Sequence, residues 1–450
     1  MKKKILLTII SIVVALVAVC STGCTHAEFD LAPQQKVGAG EEAYGYLSTI
    51  AEQYPDRTPD SGKDFEFCKY LATQLTSWGY TPKAVESEGV AGIEKFNYYY
   101  DDGERVYSGS SYNVQFTKPS TAQSKGTIVL TAQYDNRYSY TGIATQADGS
   151  YESGASVSAL LTICRLLCDK DLDFDLTVAF LGCSTISYNG AEYMFKNMTE
   201  RQKQDVLLAI DISNIIGGDY SYLYTVDKRT DYGDFFDQLA TVNGLDFQSV
   251  PQDKKVGAAT LIDNGLYNYF HVGMLSNNMY FMNEGIPTLT ILSFNWDKSG
   301  SGGRVEKDGK ENLLQTPADT LDNMIDRVGE DNIKARFDSI VSAVYLAIAR
   351  EGETLVGALT SSRSQMPSRL AQSSVANSVL TVAPKIIVVT ALILLMFAVR
   401  KRVNDDKEKY LAIKRANTKS QSVDVFGFDD DGQGKDNFGD KSDGGVFDGF

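Results

Sequence analysis

Residues able to do chemistry gather at three places, Gln133-Tyr134-Asp135, Gly182-Cys183-Ser184-Thr185 and Asp211-Ile212-Ser213, each at the end of a strand-like apolar run. In a sheet of parallel strands ligands sit beyond the carboxyl ends, so these are the positions where a site is expected. Asp135 and Asp211 could form a carboxylate pair. Cys183 could be a nucleophile, but the sequence places no base to activate it, and a buried structural thiol is the simpler role. Histidine sets the limit. The 450 residues contain two, His26 near the amino terminus and His271, so a mechanism needing two imidazoles in the folded body is excluded. His271 has no partner motif and reads as a structural or surface residue. No Gly-rich phosphate loop stands between a strand and a helix, which leaves nucleotide chemistry without support.

The segments that must position these residues alternate in type. Glu41 to Tyr54 and Asp64 to Trp78 carry apolar residues at helical spacing, the second as Phe67, Tyr70, Leu71, Leu75 and Trp78. Ser111 to Thr117 and Thr127 to Ala132 read as strands, the latter apolar enough to be buried on both faces. A helix is predicted over Ser153 to Cys168, a strand over Leu176 to Leu181, a helix start near Gly190 and a strand over Val206 to Ile212. A helix over Thr230 to Asn243, a loop entering a strand at Gly285 to Leu292 and a closing helix over Asp322 to Arg350 complete the body. This order predicts an α/β domain with a mainly parallel sheet.

The ends predict an address. Lys2 to Lys4 precede an apolar run from Ile5 to Cys20, the layout of a signal peptide or signal anchor over residues 1–27. Thr25-His26-Ala27 offers a cleavage point, and Ser21-Thr22-Gly23-Cys24 resembles a lipobox without its aliphatic residue. After a Ser-rich linker over 353–379, Leu380 to Val399 is predicted to be a transmembrane helix, and Arg400-Lys401-Arg402 places the carboxyl-terminal tail in the cytoplasm. The main domain is then extracytoplasmic. Residues 400–450 read as a disordered acidic tail, either simply solvated or carrying a docking motif in its Phe-Asp repeats. Forty-three basic against 58 acidic side chains give a net charge of −15, which excludes nucleic acid as a partner. Cys68, Cys164, Cys168 and Cys183 show no closely spaced pair suited to zinc, and Cys164 and Cys168, four apart on a helix, are awkwardly placed for a disulfide.

At these positions the chain resembles the M28 family of zinc aminopeptidases, from about residue 40 to 350. Tyr54 to Gly62 is similar to the family's opening, and Ile128 to Asp135 to its strand ending in His-Tyr-Asp. Gly149 to Leu161 resembles the segment with the bridging Asp, and Phe180 to Tyr193 the strand followed by Glu-Glu. Ala209-Ile210-Asp211 and Leu314 to Asp322 resemble the last two motifs. The resemblance implies a three-layer sandwich of the phosphorylase/hydrolase-like type. It places the family's zinc ligands on Gln133, Tyr151, Thr185, Asp211 and Gln315, its general base on Ser184, and a downstream Asp-His on Asn277-Asn278. Only Asp211 keeps ligand chemistry, and a serine cannot stand in for a carboxylate base.

The expectation is therefore a membrane-anchored pseudopeptidase without cofactor, acting in peptide or protein binding or complex assembly. Degenerate domains of the nicastrin and nicalin type resemble it in architecture. The alternative is an active metallo-aminopeptidase or hydrolase, with zinc at a non-standard site of Asp135, Glu152 and Asp211. A structural spacer is a third reading. Gln133, Asp135, Tyr151, Glu152, Asp211 and Gln315 are expected to bind a ligand such as a peptide amino terminus, unless Tyr151 fills the pocket. Asn295 to Asn312 is a candidate lid.

Overall fold

The apolar runs form the middle of one sheet. In the computed structural model, residues 27–420 are described except 84, 102–105, 137–146, 187, 226–229, 249–275, 296–309, 311–312, 315 and 366–373. His26, His271, Gln315, the signal segment, most of the candidate lid and 421–450 lie outside the described residues.

Helices α1 (Gly40–Gln53) and α2 (Lys63–Ser77) open the domain. Short strands β1 (Thr81–Pro82), β2 (Glu86–Ser87) and β3 (Val90–Ala91) lead to a hairpin of β4 (Ile93–Asp101) and β5 (Val106–Lys118). Next come β6 (Thr127–Gln133), a π-helical turn at Ser150–Gly154 running into α3 (Ala155–Leu167), and β7 (Asp175–Leu181). Helices α4 (Asn189–Lys196) and α5 (Glu200–Asp205), strands β8 (Val206–Ile212) and β9 (Tyr220–Thr225), and α6 (Asp231–Val242) follow. After α7 (Met279–Asn283) and β10 (Thr288–Phe294), helices α8 (Leu321–Val328), α9 (Glu330–Tyr345) and α10 (Gly352–Gln365) close the body.

The strand order is β1-β5-β7-β6-β8-β10-β9, with β4 also paired to β5. β6 is parallel to β7 and β8, and β8 to β10, whereas β5 and β9 join antiparallel. Ile128, Leu130 and Ala132 of β6 and Leu176, Val178 and Phe180 of β7 face a core built with α1, α2, α3 and α9. Their alternates Val129, Ala179 and Leu181 face a second cluster with Met194, Phe195 and Phe281 of α4 and α7. Two buried faces require apolar residues at both parities, which is why these strands read as continuous runs. Each of the larger side chains among them contributes about 1.5–3 kcal/mol by leaving water.

Four expectations change. The strand expected over Ser111 to Thr117 is longer and pairs with β4, whose Tyr98-Tyr99-Tyr100 gives no clean alternation. The closing helix is broken at Gly329, whose φ of 87° and ψ of 136° separate α8 from α9. The linker expected over 353–379 begins instead as α10, because Leu355, Ala358, Leu359 and Ser362 find a buried surface. Finally, helix α11 (Ser374–Ser420) contains the expected span and runs on through the first part of the expected tail. No Gly or Pro interrupts Ile386 to Ser420, so nothing stops the helix there. Among the described residues no helix is long and apolar enough to cross a membrane. Residues up to Leu380 and from Thr381 form separate units.

Residues 27–39 form a strap without regular structure. Ala27 N donates to Asp234 Oδ2 at 2.7 Å, Phe29 N to Gln238 Oε1 at 3.0 Å and Gln34 N to Asn243 Oδ1 at 2.7 Å. Val37 N and Ala39 N then donate to Ser342 Oγ and Asp338 Oδ1 of α9. Every backbone donor in this set is met by a side chain, so the strap is held without joining the sheet.

Candidate functional site

Parallel register brings the carboxyl ends level. Gln133 pairs with Leu181 and Thr131 with Asp211, so Gln133, Asp135, Ser184, Thr185 and Asp211 meet at one end of the sheet. The turn Ser150–Gly154 brings Tyr151 and Glu152 to the same place. It starts from Gly149, at φ 64°, where a Cβ would stand 2.6 Å from Asn136 Cβ. Only glycine fits that approach.

Asp211 is fully buried. Its Oδ1 accepts from Thr131 Oγ1 at 2.6 Å and Asn277 Nδ2 at 3.0 Å, and its Oδ2 from Ser213 Oγ at 2.5 Å and Asn277 N at 3.0 Å. Burial pushes its pKa up while the Ser213, Thr131 and Asn277 donors pull it down. Asp135, also fully buried, accepts from Ser184 N at 2.9 Å, Thr185 N at 3.0 Å and Thr185 Oγ1 at 2.5 Å. Desolvation again raises its pKa against those bonds. The Ser184 hydroxyl donates to Asn277 Oδ1 at 2.9 Å.

Gln133 Nε2 donates to the Glu152 carbonyl at 2.6 Å. The Tyr151 hydroxyl donates to the Ser293 carbonyl, and its ring lies so close to Gly217 that a Cβ there would be 2.4 Å from a ring carbon. Tyr151 is fully buried; it occupies space at the carboxyl ends as a core side chain. Cys183, at φ 53°, precedes Ser184 in the left-handed region. Its thiol pKa is pushed up by burial, with Asp135 and Asp64 acting the same way, the opposite of what a nucleophile requires.

Below this layer lies a clamp that the sequence reading did not identify. Arg57 is fully buried, and its guanidinium donates to the carbonyls of Tyr134 at 2.8 Å, Tyr54 at 2.6 Å, Asp148 at 2.9 Å and Gly149 at 3.3 Å, and to Ser153 Oγ at 2.9 Å. Asp319 accepts from Tyr151 N at 2.7 Å and Glu152 N at 2.9 Å. Desolvation raises the Asp319 pKa to about 7, partly countered by those two bonds and by Arg57. Arg57 sits in the Tyr54–Gly62 motif, and Asp319 in the Leu314–Asp322 motif, so position in a motif was the signal available for both.

The sequence-predicted residues Gln133, Asp135, Tyr151, Glu152, Ser184, Thr185 and Asp211 are thus brought together, and Gln315 lies outside the described residues. They do not fit zinc. The described set supplies amide, phenol and hydroxyl groups where imidazole and free carboxylate oxygens are needed, and both oxygens of Asp135 and Asp211 are already taken by protein donors. Among the described residues no group of three or more His, Cys, Asp or Glu could hold a metal ion. The non-standard trio of Asp135, Glu152 and Asp211 therefore forms no such centre.

No curated protein matches the sequence. Among solved structures, two of a zinc aminopeptidase from Bacillus subtilis are similar. One has 13% identity and a TM-score of 0.52, covering 71% of this chain and 97% of the other. The second has 13% identity and a TM-score of 0.50 over the same shares. A glutaminyl cyclase from Porphyromonas gingivalis follows at 16% identity and a TM-score of 0.48, covering 68% of this chain and 97% of its own. At such identity the likeness is one of fold. Residues 113–337 match the family model described as Peptidase family M28, and across that half of its length the chain shows itself a member of the M28 family.

Proposed function

We propose that this chain is a non-catalytic, membrane-anchored M28 protein whose domain lies outside the membrane and binds a peptide or protein partner or serves in complex assembly. What supports the reading is the saturation of Asp211. Four neutral donors occupy the carboxylate that alone retains ligand chemistry, and the base position is a serine bonded to Asn277. Hydrolysis of a peptide needs a water activated by a metal or a carboxylate base, and the described residues offer a place to neither. With Asp135, Tyr151 and Asp211 closed in the core, we place the partner on the outer surface. The net charge of −15 makes a nucleic acid the wrong partner.

The test is elemental analysis of the purified protein beside an aminoacyl reporter assay. The expected result is no stoichiometric zinc and no turnover. One or two tightly held zinc ions per chain, lost on Asp211→Ala together with hydrolysis, would overturn the proposal.

A further inference from the structure

Both ends of the body are fastened to the first two turns of α6. At the amino end Ala27 N rests on Asp234 Oδ2 at 2.7 Å, and the Phe29 ring packs edge-on against Phe235 at 5.6 Å. At the carboxyl end the Ser361 hydroxyl donates to the Asp231 carboxylate, and Tyr232 N donates to Ser362 Oγ at 3.0 Å. Asp231 and Asp234 are three residues apart, about 4.5 Å along a helix axis.

The direction of α6 fixes where this point lies. Tyr232 in its first turn reaches the carbonyl of Thr288, the first residue of β10. Past its other end, Gln248 N donates to the Ser221 carbonyl, and Ser221 pairs with Ser293 near the end of β10. The helix therefore climbs from the amino-end pole of the parallel strands toward the carboxyl-end pole, and both chain exits sit at its foot.

We infer that the amino-end pole of the domain, at the foot of α6, faces the lipid bilayer, and that the carboxyl-end pole with Asp211 points away from it. The inference rests on the membrane anchoring proposed above. Six residues, 21–26, separate Ala27 from the apolar run ending at Cys20, a reach of at most roughly 25 Å. If that run is removed, the remaining tether is the apolar segment from Leu380, 14 residues of sequence after Gln365 at the end of α10.

The full chain reconstituted in liposomes tests this with one fluorophore at either pole and a nitroxide quencher on the lipid headgroups. Gln123→Cys places the label on an exposed residue four positions before β6, at the amino-end pole. Tyr99→Cys places it on the hairpin. Tyr99 pairs with Ser108, five residues beyond Asn113, which pairs with the last residue of β7, so the label projects about 16 Å past the carboxyl ends. The parent chain gives the background from its own cysteines, Cys20, Cys24 and Cys168 among them. Quenching several-fold stronger at position 123 than at 99 is expected. Equal or reversed quenching in protein that floats with the liposomes overturns the orientation alone. Failure to float overturns the orientation and the anchoring together.

Discussion

Ser184 Oγ donates to Asn277 Oδ1 at 2.9 Å, and Asn277 returns its Nδ2 to Asp211 Oδ1 at 3.0 Å. A hydroxyl and an amide thereby complete each other between two buried carboxylates, since Asp135 accepts from the Ser184 backbone. An amide offers both a donor and an acceptor, and this position uses both.

Asp211→Ala should destabilise the domain by about 3–5 kcal/mol, because four buried donors lose their acceptor at once. Urea unfolding measures this. A carboxylate kept for a metal would behave oppositely in metal-free protein, where removing one of several repelling anions relieves the site. A neutral or stabilising effect would therefore count against the saturated reading.

Arg57→Lys should be nearly as damaging as Arg57→Met. The guanidinium spans five acceptors, whereas an ammonium offers three donors from one point. Both variants leave Asp319 and neighbouring buried carboxyls poorly balanced, at a cost of about 3–5 kcal/mol. Circular dichroism melting of the two variants, matched within a few degrees and well below the parent, is the expected outcome.

Stability should fall as pH rises from about 4 to 7. An aspartate titrates near 3.9 in an unfolded chain, while burial raises Asp64 to about 6 and Asp319 to about 7. Between these values the folded chain holds protons that the unfolded chain has released, so the stabilisation present at low pH is lost across this window. Asp64 Oδ2 has no hydrogen-bond partner, so Asp64→Asn should raise stability by about 1–3 kcal/mol at pH 7.5 and change little at pH 4. Denaturation at the two pH values decides the matter.

Of the four cysteines in the body, one should react quickly with a thiol reagent. Cys68, Cys164 and Cys183 are buried and free, and Cys168 is partly exposed. Burial pushes the three buried thiols up, away from the reactive thiolate. Titration of folded protein should count one fast group from this set and urea should release three more. Two fast groups would mean that the core opens more readily than its packing implies.

How far the sequence could be read depended on burial. Thr127 to Ala132 and Leu176 to Leu181 announced themselves because a strand covered on both faces must be apolar throughout. The β4 hairpin and the edge strand β9 did not, since Tyr98-Tyr99-Tyr100 and Tyr220-Ser221-Tyr222 mix ring and hydroxyl on both faces. At the site, Gln133, Asp135 and Asp211 were placed by strand ends and motif order. Arg57 and Asp319 escaped because their partners are mostly backbone groups, and backbone carries no residue type to recognise. Asn277 was visible only as a substituted position; its bridge to Ser184 depends on a fold contact across 93 residues.

The strap over 27–39 bears on how the chain is made. Its partners Asp234, Gln238, Asn243, Asp338, Ser342 and Glu351 lie between 207 and 317 residues further along. A ribosome delivers the strap 207 to 317 residues before the side chains that hold it. The strap must therefore wait, unpaired, until those residues follow, and its seating is a closure over a long loop. Until then Leu31 and Phe29 have no core to enter, and a chain halted before residue 342 cannot complete this domain at its amino end.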